Sequence, residues 1–170
     1  MAISRLVGDR LGEGLVLGNL GGISGFQGDY VAALEYCTQA LALTHEFGDR
    51  LGESHILGYQ ALLRYQCSDL HDAQRLADQA LAIAVEIGAP NEEANALTVH
   101  GHVLAALGQL DAAALAYRQA FALREAMAQP DLRLEALAGL ARVALAQAIP
   151  LRHATRSKRS WPNKPQACAM

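Results

Sequence analysis

The sequence predicts an all-α fold, a solenoid of antiparallel helix pairs with about seven helices. Three observations predict it. First, Gly48-Asp49-Arg50-Leu51-Gly52-Glu53 repeats the six letters of Gly8-Asp9-Arg10-Leu11-Gly12-Glu13, and Gly88-Ala89-Pro90-Asn91-Glu92-Glu93 is a looser third copy. Second, Gln39-Ala40-Leu41-Ala42-Leu43 recurs in the same register as Gln79-Ala80-Leu81-Ala82-Ile83 and Gln119-Ala120-Phe121-Ala122-Leu123. Third, the 170 residues are 52% hydrophobic but only 5% aromatic. Ala and Leu dominate, both strong helix formers, while strand formers are scarce. Self-similarity at a period of roughly 20–50 residues marks a stacked array rather than a single globular core.

The elements follow from the register. Met1-Ala2-Ile3 lies where Leu41-Ala42-Leu43 lies one unit later, so the chain is expected to open inside the last turns of a second helix. Unit one, about residues 8–47, has helix A from Asp9 to Gln27 and helix B from Tyr30. Helix A carries Gly12, Gly14, Gly18, Gly21, Gly22 and Gly25, each costing roughly 1 kcal/mol against Ala in a helix interior. Packing on neighbours, not propensity, must hold it. Asp29 caps helix B, whose Tyr30, Ala33, Leu34, Cys37, Ala40 and Leu41 form one apolar stripe of helical period. Gly48 ends that helix and Asp49 caps the next. Unit two, about 48–87, runs from Arg50 to Cys67 and from Leu70 to Ile87. Unit three, about 88–127, opens at Pro90, where a missing N–H costs nothing, and runs from Asn91 to Leu107 and Leu110 to Met127. A final helix spans about 131–148, and the basic, proline-containing tail of 149–170 is expected to be disordered.

Composition excludes several classes. The net charge of −3 favours neither nucleic acid nor an acidic tail. Residues 1–150 hold every acid and no lysine, whereas Arg152, Arg156, Lys158, Arg159 and Lys164 crowd the tail. Cys37, Cys67 and Cys168 are odd in number and far apart; no disulfide framework follows, and a cytoplasmic location is expected. No apolar run is long enough for a membrane span. Without lysine before the tail there is no phosphate-binding GxxxxGK loop, and the glycines do not fit GxGxxG. His100 and His102, two apart on a helix, point to nearly opposite sides, so one packed and one solvent-facing histidine is favoured over a metal pair. No nucleophile–base constellation can be built from spacing. No cofactor and no metal are expected, and the chain is not expected to be an enzyme.

Small residues recur at fixed positions: Gly21, Ala61, Gly101 and Ala141 on helix A, then Ala33, Ala73, Ala113 and Ala40, Ala80, Ala120 on helix B. They let paired helices approach closely, with Leu17, Leu57, Leu97 and Leu137 between them. This pattern resembles the tetratricopeptide repeat (TPR), in its long 40-residue form found in spindle-orientation adaptors and in C-terminal arrays of bacterial signalling ATPases and transcription regulators. Gln60 and Arg64 depart from it, which predicts looser packing of helix A in unit two. The resemblance implies a right-handed superhelix whose A helices line a concave groove. The groove-facing stripe is then Asn19 and Gly22 with Leu15 and Gly18; His55, Tyr59 and Leu62 with Gly58; Asn95, Val99 and His102 with Thr98; and Arg142 with Glu135 and Ala138. Asn19-Leu20-Gly21 is similar to the Asn-Leu-Gly of the spindle adaptors, whose Asn holds ligand backbone. The carboxylate clamp of chaperone-binding members is absent, since Gly18, Gly22, Tyr59, Asn95 and Val99 stand in its place.

The function implied is a non-catalytic scaffold holding a protein or peptide ligand, with no nucleic acid and no membrane. The alternative is a regulatory piece of a larger bacterial signalling ATPase or transcription regulator. Because an array buries each apolar face only on its neighbours, Leu137, Leu140 and Val143 are expected to stand uncovered after the last helix and to drive homodimerisation through the solenoid ends.

Overall fold

The computed structural model describes residues 10–148; residues 1–9 and 149–170, which include Ile3, Leu6, Val7, Cys168 and the basic tail, lie outside the described part. Seven helices follow in order: α1 Arg10–Phe26, α2 Tyr30–Phe47, α3 Arg50–Gln66, α4 Leu70–Glu86, α5 Pro90–Ala106, α6 Leu110–Ala126 and α7 Arg133–Ala148. There is no strand among the described residues. None of their helices is long and apolar enough to cross a membrane.

Local chemistry sets the helix ends. A left-handed residue recurs every twenty positions, at Gly28, Gly48, Ser68, Gly88, Gly108 and Ala128, with φ between +54° and +82°. Only glycine takes that conformation without a Cβ penalty, so Ser68 and Ala128 are the strained members of the row. Asp29, Asp49 and Asp69 cap the following helices through bonds to the backbone N–H of Ala32, Gly52 and Asp72. At the next two turns Ala89 and Gln109 make no such bond.

Helices α1 and α2, α3 and α4, and α5 and α6 form antiparallel pairs, and each pair packs on the next. The odd helices also touch one another, α1 on α3, α3 on α5 and α5 on α7, whereas no even helix touches another. The array therefore curves with the odd helices on its inner side. It is an α-solenoid.

Between the layers the register columns pack as their residue types dictate. The alanines at 33, 73, 113, 40, 80 and 120 are all fully buried, and Leu17, Leu57 and Leu97 are 2%, 6% and 4% exposed. Burying each leucine stabilises by roughly 1.5–3 kcal/mol. Leu137, the next in that column, is 41% exposed because no described helix covers it. Val143 does not share that exposure: it lies 2% exposed in a cluster with Tyr117, Ala120 and Ala136, with Leu140 half-buried against it. The uncovered side of α7 carries Leu134, Leu137 and Leu145 instead. The glycines of α1 also prove less idle than propensity suggests. A Cβ at Gly21 would stand 2.9 Å from Cys37 Sγ, and one at Gly18 would stand 3.0 Å from Ile56.

Gln60 is buried despite its departure from the repeat pattern, and Arg64 turns outward to the carboxylates of Asp69 and Asp72. Cys37 is a buried free thiol, and desolvation pushes it up to about 11.

Candidate functional site

The inner faces of α1, α3 and α5 enclose two recesses. One, of about 740 Å³, lies between α1 and α3 and is lined by Gly14, Leu15, Gly18 and Asn19 with Leu51, Gly52, His55 and Glu92. The other, of about 230 Å³, lies between α3 and α5 and is lined by His55, Tyr59, Leu62, Glu92, Asn95, Val99 and Glu135, with Ser54, Gly58, Ala96 and Thr98. His55 and Glu92 line both, so the two form one continuous trough.

Of the residues expected to face the groove, His55, Tyr59, Leu62, Asn95 and Val99 meet in the second recess, and Asn19 stands in the first. Gly22 lines neither; its carbonyl oxygen accepts from the Tyr59 hydroxyl at 3.2 Å. His102 and Arg142 line a separate recess of about 240 Å³ with Tyr65, Tyr117 and Gly139. There His102 is buried rather than presented. Arg142 can only donate, and its Nη2 lies 3.1 Å from His102 Nδ1, so Nδ1 is the accepting nitrogen. The Tyr117 hydroxyl lies 2.7 Å from the same nitrogen, and Nε2–H donates to Glu135 at 3.1 Å. Burial pushes the Tyr117 phenol up to about 12. His100 is half-buried and pairs with Asp78.

The electrostatics of the trough are set by paired groups. Glu92 is held below the ordinary carboxylate value, chiefly by the hydrogen bond with His55 and then by the charge of that ring, with Asn95 and Asn91 adding to it. His55 is raised in return by Glu92, 3.2 Å away. Glu135 is lowered, first by its bond with His102. Behind them sits Arg124 of α6, 4% exposed, which donates to Asn91 and Gln129 at 2.5 and 2.6 Å and also to Asn95. Burial lowers its pKa, while the charges of Glu92 and Glu135 oppose that.

Reasoning from the sequence missed Arg124, Glu92 and Tyr117, although the register held a signal. Arg124 falls in the column of Thr44 and Ala84, and Tyr117 in the column of Cys37 and Ala77. A large residue in a small column needs compensating space, and Tyr117 has it at Gly101 and Gly139. Cβ atoms there would stand 2.6 and 2.5 Å from its ring.

The Ser54 hydroxyl donates to the Ala80 carbonyl at 2.9 Å, and no cysteine lines either recess. Among the described residues no group of three His, Cys, Asp or Glu side chains is placed to hold a metal ion. The trough offers a row of apolar walls, with Asn19, His55 and Asn95 exposed along it.

No protein-family model matches the chain, and no curated protein matches it. Among solved structures, the first TPR of Spaghetti (RPAP3), bound to the HSP90 peptide SRMEEVD, superposes with a TM-score of 0.63. The identity is 20%, over 81% of this chain and 94% of that one. The likeness is one of fold. Helices α1 to α7 build a tetratricopeptide-repeat-type α-solenoid, the architecture that the repeat pattern predicts.

Proposed function

We propose that the chain is a non-catalytic interaction scaffold that holds a peptide or a helix in the trough formed by α1, α3 and α5. The observation that carries this reading is the continuity of the two recesses through His55 and Glu92, which makes a track rather than a pocket. Extended segments and helices bind such tracks by alternating apolar anchors with hydrogen bonds from fixed polar side chains. The similar RPAP3 domain, solved with a peptide, supports a peptide as the ligand class. Panning a phage-displayed peptide library on the chain tests the reading. Binders should be selected, and Leu62→Ala with Val99→Ala should weaken them by about tenfold through lost apolar contact. Selected binders indifferent to both changes would place the binding surface elsewhere.

The uncovered side of α7 supports a second element of the proposal, pairing of two copies through that face. Leu134, Leu137 and Leu145 are 60%, 41% and 61% exposed, in a fold whose inner units bury the column of Leu137. Light scattering over a dilution series should show a dimer that dissociates, and Leu137→Glu should abolish it. A monomer at high concentration would sink the pairing.

A further inference from the structure

We infer that the segment held in the trough carries a lysine or arginine side chain, placed between Glu92 and Glu135 and flanked by aliphatic residues. The inference rests on the groove reading above and names the chemistry of its partner.

The lining of the two recesses contains three carboxylates, Asp49, Glu92 and Glu135, one histidine, His55, and the phenol of Tyr59. No arginine lines either recess, and residues 1–150 contain no lysine at all. The cations nearby are committed elsewhere. Arg50 bridges Glu53 and Glu86 at 2.5 and 2.6 Å, and Arg142 donates to His102. Arg124 is buried, with its donors turned to Asn91, Asn95 and Gln129. A ligand carboxylate would find no exposed cationic fork in the trough and would face two carboxylates. Such like-charge juxtaposition is a standard means of rejecting wrong partners.

A ligand cation meets the opposite arrangement. The lining itself holds three carboxylates, Asp49, Glu92 and Glu135, against the single histidine His55, and the guanidinium of Arg124 lies buried behind it. Glu135 lines the second recess, engages His102 through Oε1 and leaves most of its side chain open to solvent, 66% exposed. Leu62, Val99 and Ala96 line the same recess and suit the methylene stem of a lysine or arginine, which packs on apolar surface while its head reaches a carboxylate.

The test uses a phage-displayed random dodecapeptide library panned on the full chain at neutral pH, with selected peptides measured by fluorescence anisotropy. Selected peptides should share a Lys or Arg at a fixed position relative to aliphatic residues. Glu135→Gln, which keeps an oxygen for the His102 N–H, should weaken them by about tenfold, the loss of one charge-assisted hydrogen bond. Replacing the peptide's basic residue by Glu should abolish binding to the wild type and restore it on Glu135→Arg, a rescue that a merely structural role for Glu135 would not give. Peptides that lack a basic residue, or that keep full affinity for both Glu135→Gln and Glu92→Gln, overturn the inference; if Leu62→Ala still weakens them, the groove reading stands. Failure to select any peptide, or selection of peptides indifferent to Leu62→Ala and Val99→Ala, overturns the groove reading and the inference together.

Discussion

The hydroxyl of Tyr59 in α3 donates to the carbonyl of Gly22 in α1 at 3.2 Å, and lies where a side chain on Gly25 would have to stand. Helix α1 contains six glycines and relies on such contacts, since propensity does not hold it. Tyr59→Phe should therefore cost about 1 kcal/mol, and Gly25→Ala more, by displacing the ring. Hydrogen exchange should open residues 10–26 before any other helix, and Tyr59→Phe should speed exchange there selectively. First opening in α6 would contradict the argument.

The left-handed turns give a stabilising prediction. Ala128 and Ser68 hold φ of +54° and +64° where the other four turns have glycine. The penalty for a side chain in that conformation is roughly 1–2 kcal/mol. Ala128→Gly and Ser68→Gly should each raise the thermal midpoint by about 2–4 °C per kcal/mol recovered. An unchanged midpoint in both variants would show that the turns are strain-free as they stand.

Tyr117 and its two glycines should behave as one unit. Gly139→Ala or Gly101→Ala forces the ring aside and should destabilise by about 1–3 kcal/mol. Combining Gly139→Ala with Tyr117→Leu should cost less than the sum of the two single changes. Additive losses in a double-mutant cycle would separate them.

Stability should depend on pH through the trough pairs. His55 is raised, so its contribution is full below its ordinary value of 6.5 and fades as pH climbs through the raised value. Glu92 and Glu135 are lowered, so theirs is full above the ordinary 4.5 and fades as pH falls through the depressed values. The maximum from these groups lies between 4.5 and 6.5. The His55 side chain is 63% exposed, which screens the pair and keeps its share below about 1 kcal/mol. His55→Ala should flatten the alkaline limb of a urea-denaturation profile; an unchanged limb would remove His55 from the account.

The helices and the buried alanine columns were legible because repetition multiplies a weak local signal: one Ala at 33 says little, whereas Ala at 33, 73 and 113 says that two backbones meet. The hexapeptide carried more than its letters show. Its arginine pairs with a glutamate near the end of the partner helix, Arg10 with Glu46 at 3.0 Å and Arg50 with Glu86 at 2.6 Å. The third copy loses the pair, since Pro90 and Ala126 stand in those places. The trough was legible only in part. Register puts His55, Tyr59 and Asn95 on one stripe, but it cannot show that His102 on the same stripe turns inward to Tyr117. Nor can it show that Arg124 approaches from behind. Both depend on the space left by glycines in other helices, which is a relation between columns and not within one.

The one-sided contact between repeats also gives the array a mechanical character. The odd helices touch in sequence and the even helices do not, so an array hinged on those inner contacts would open and close chiefly along its outer row. In a bent beam such a hinge line is the neutral axis. A segment lying along α1, α3 and α5 would keep its register while the molecule flexes, and the compliance would be felt by whatever grips α2, α4 and α6.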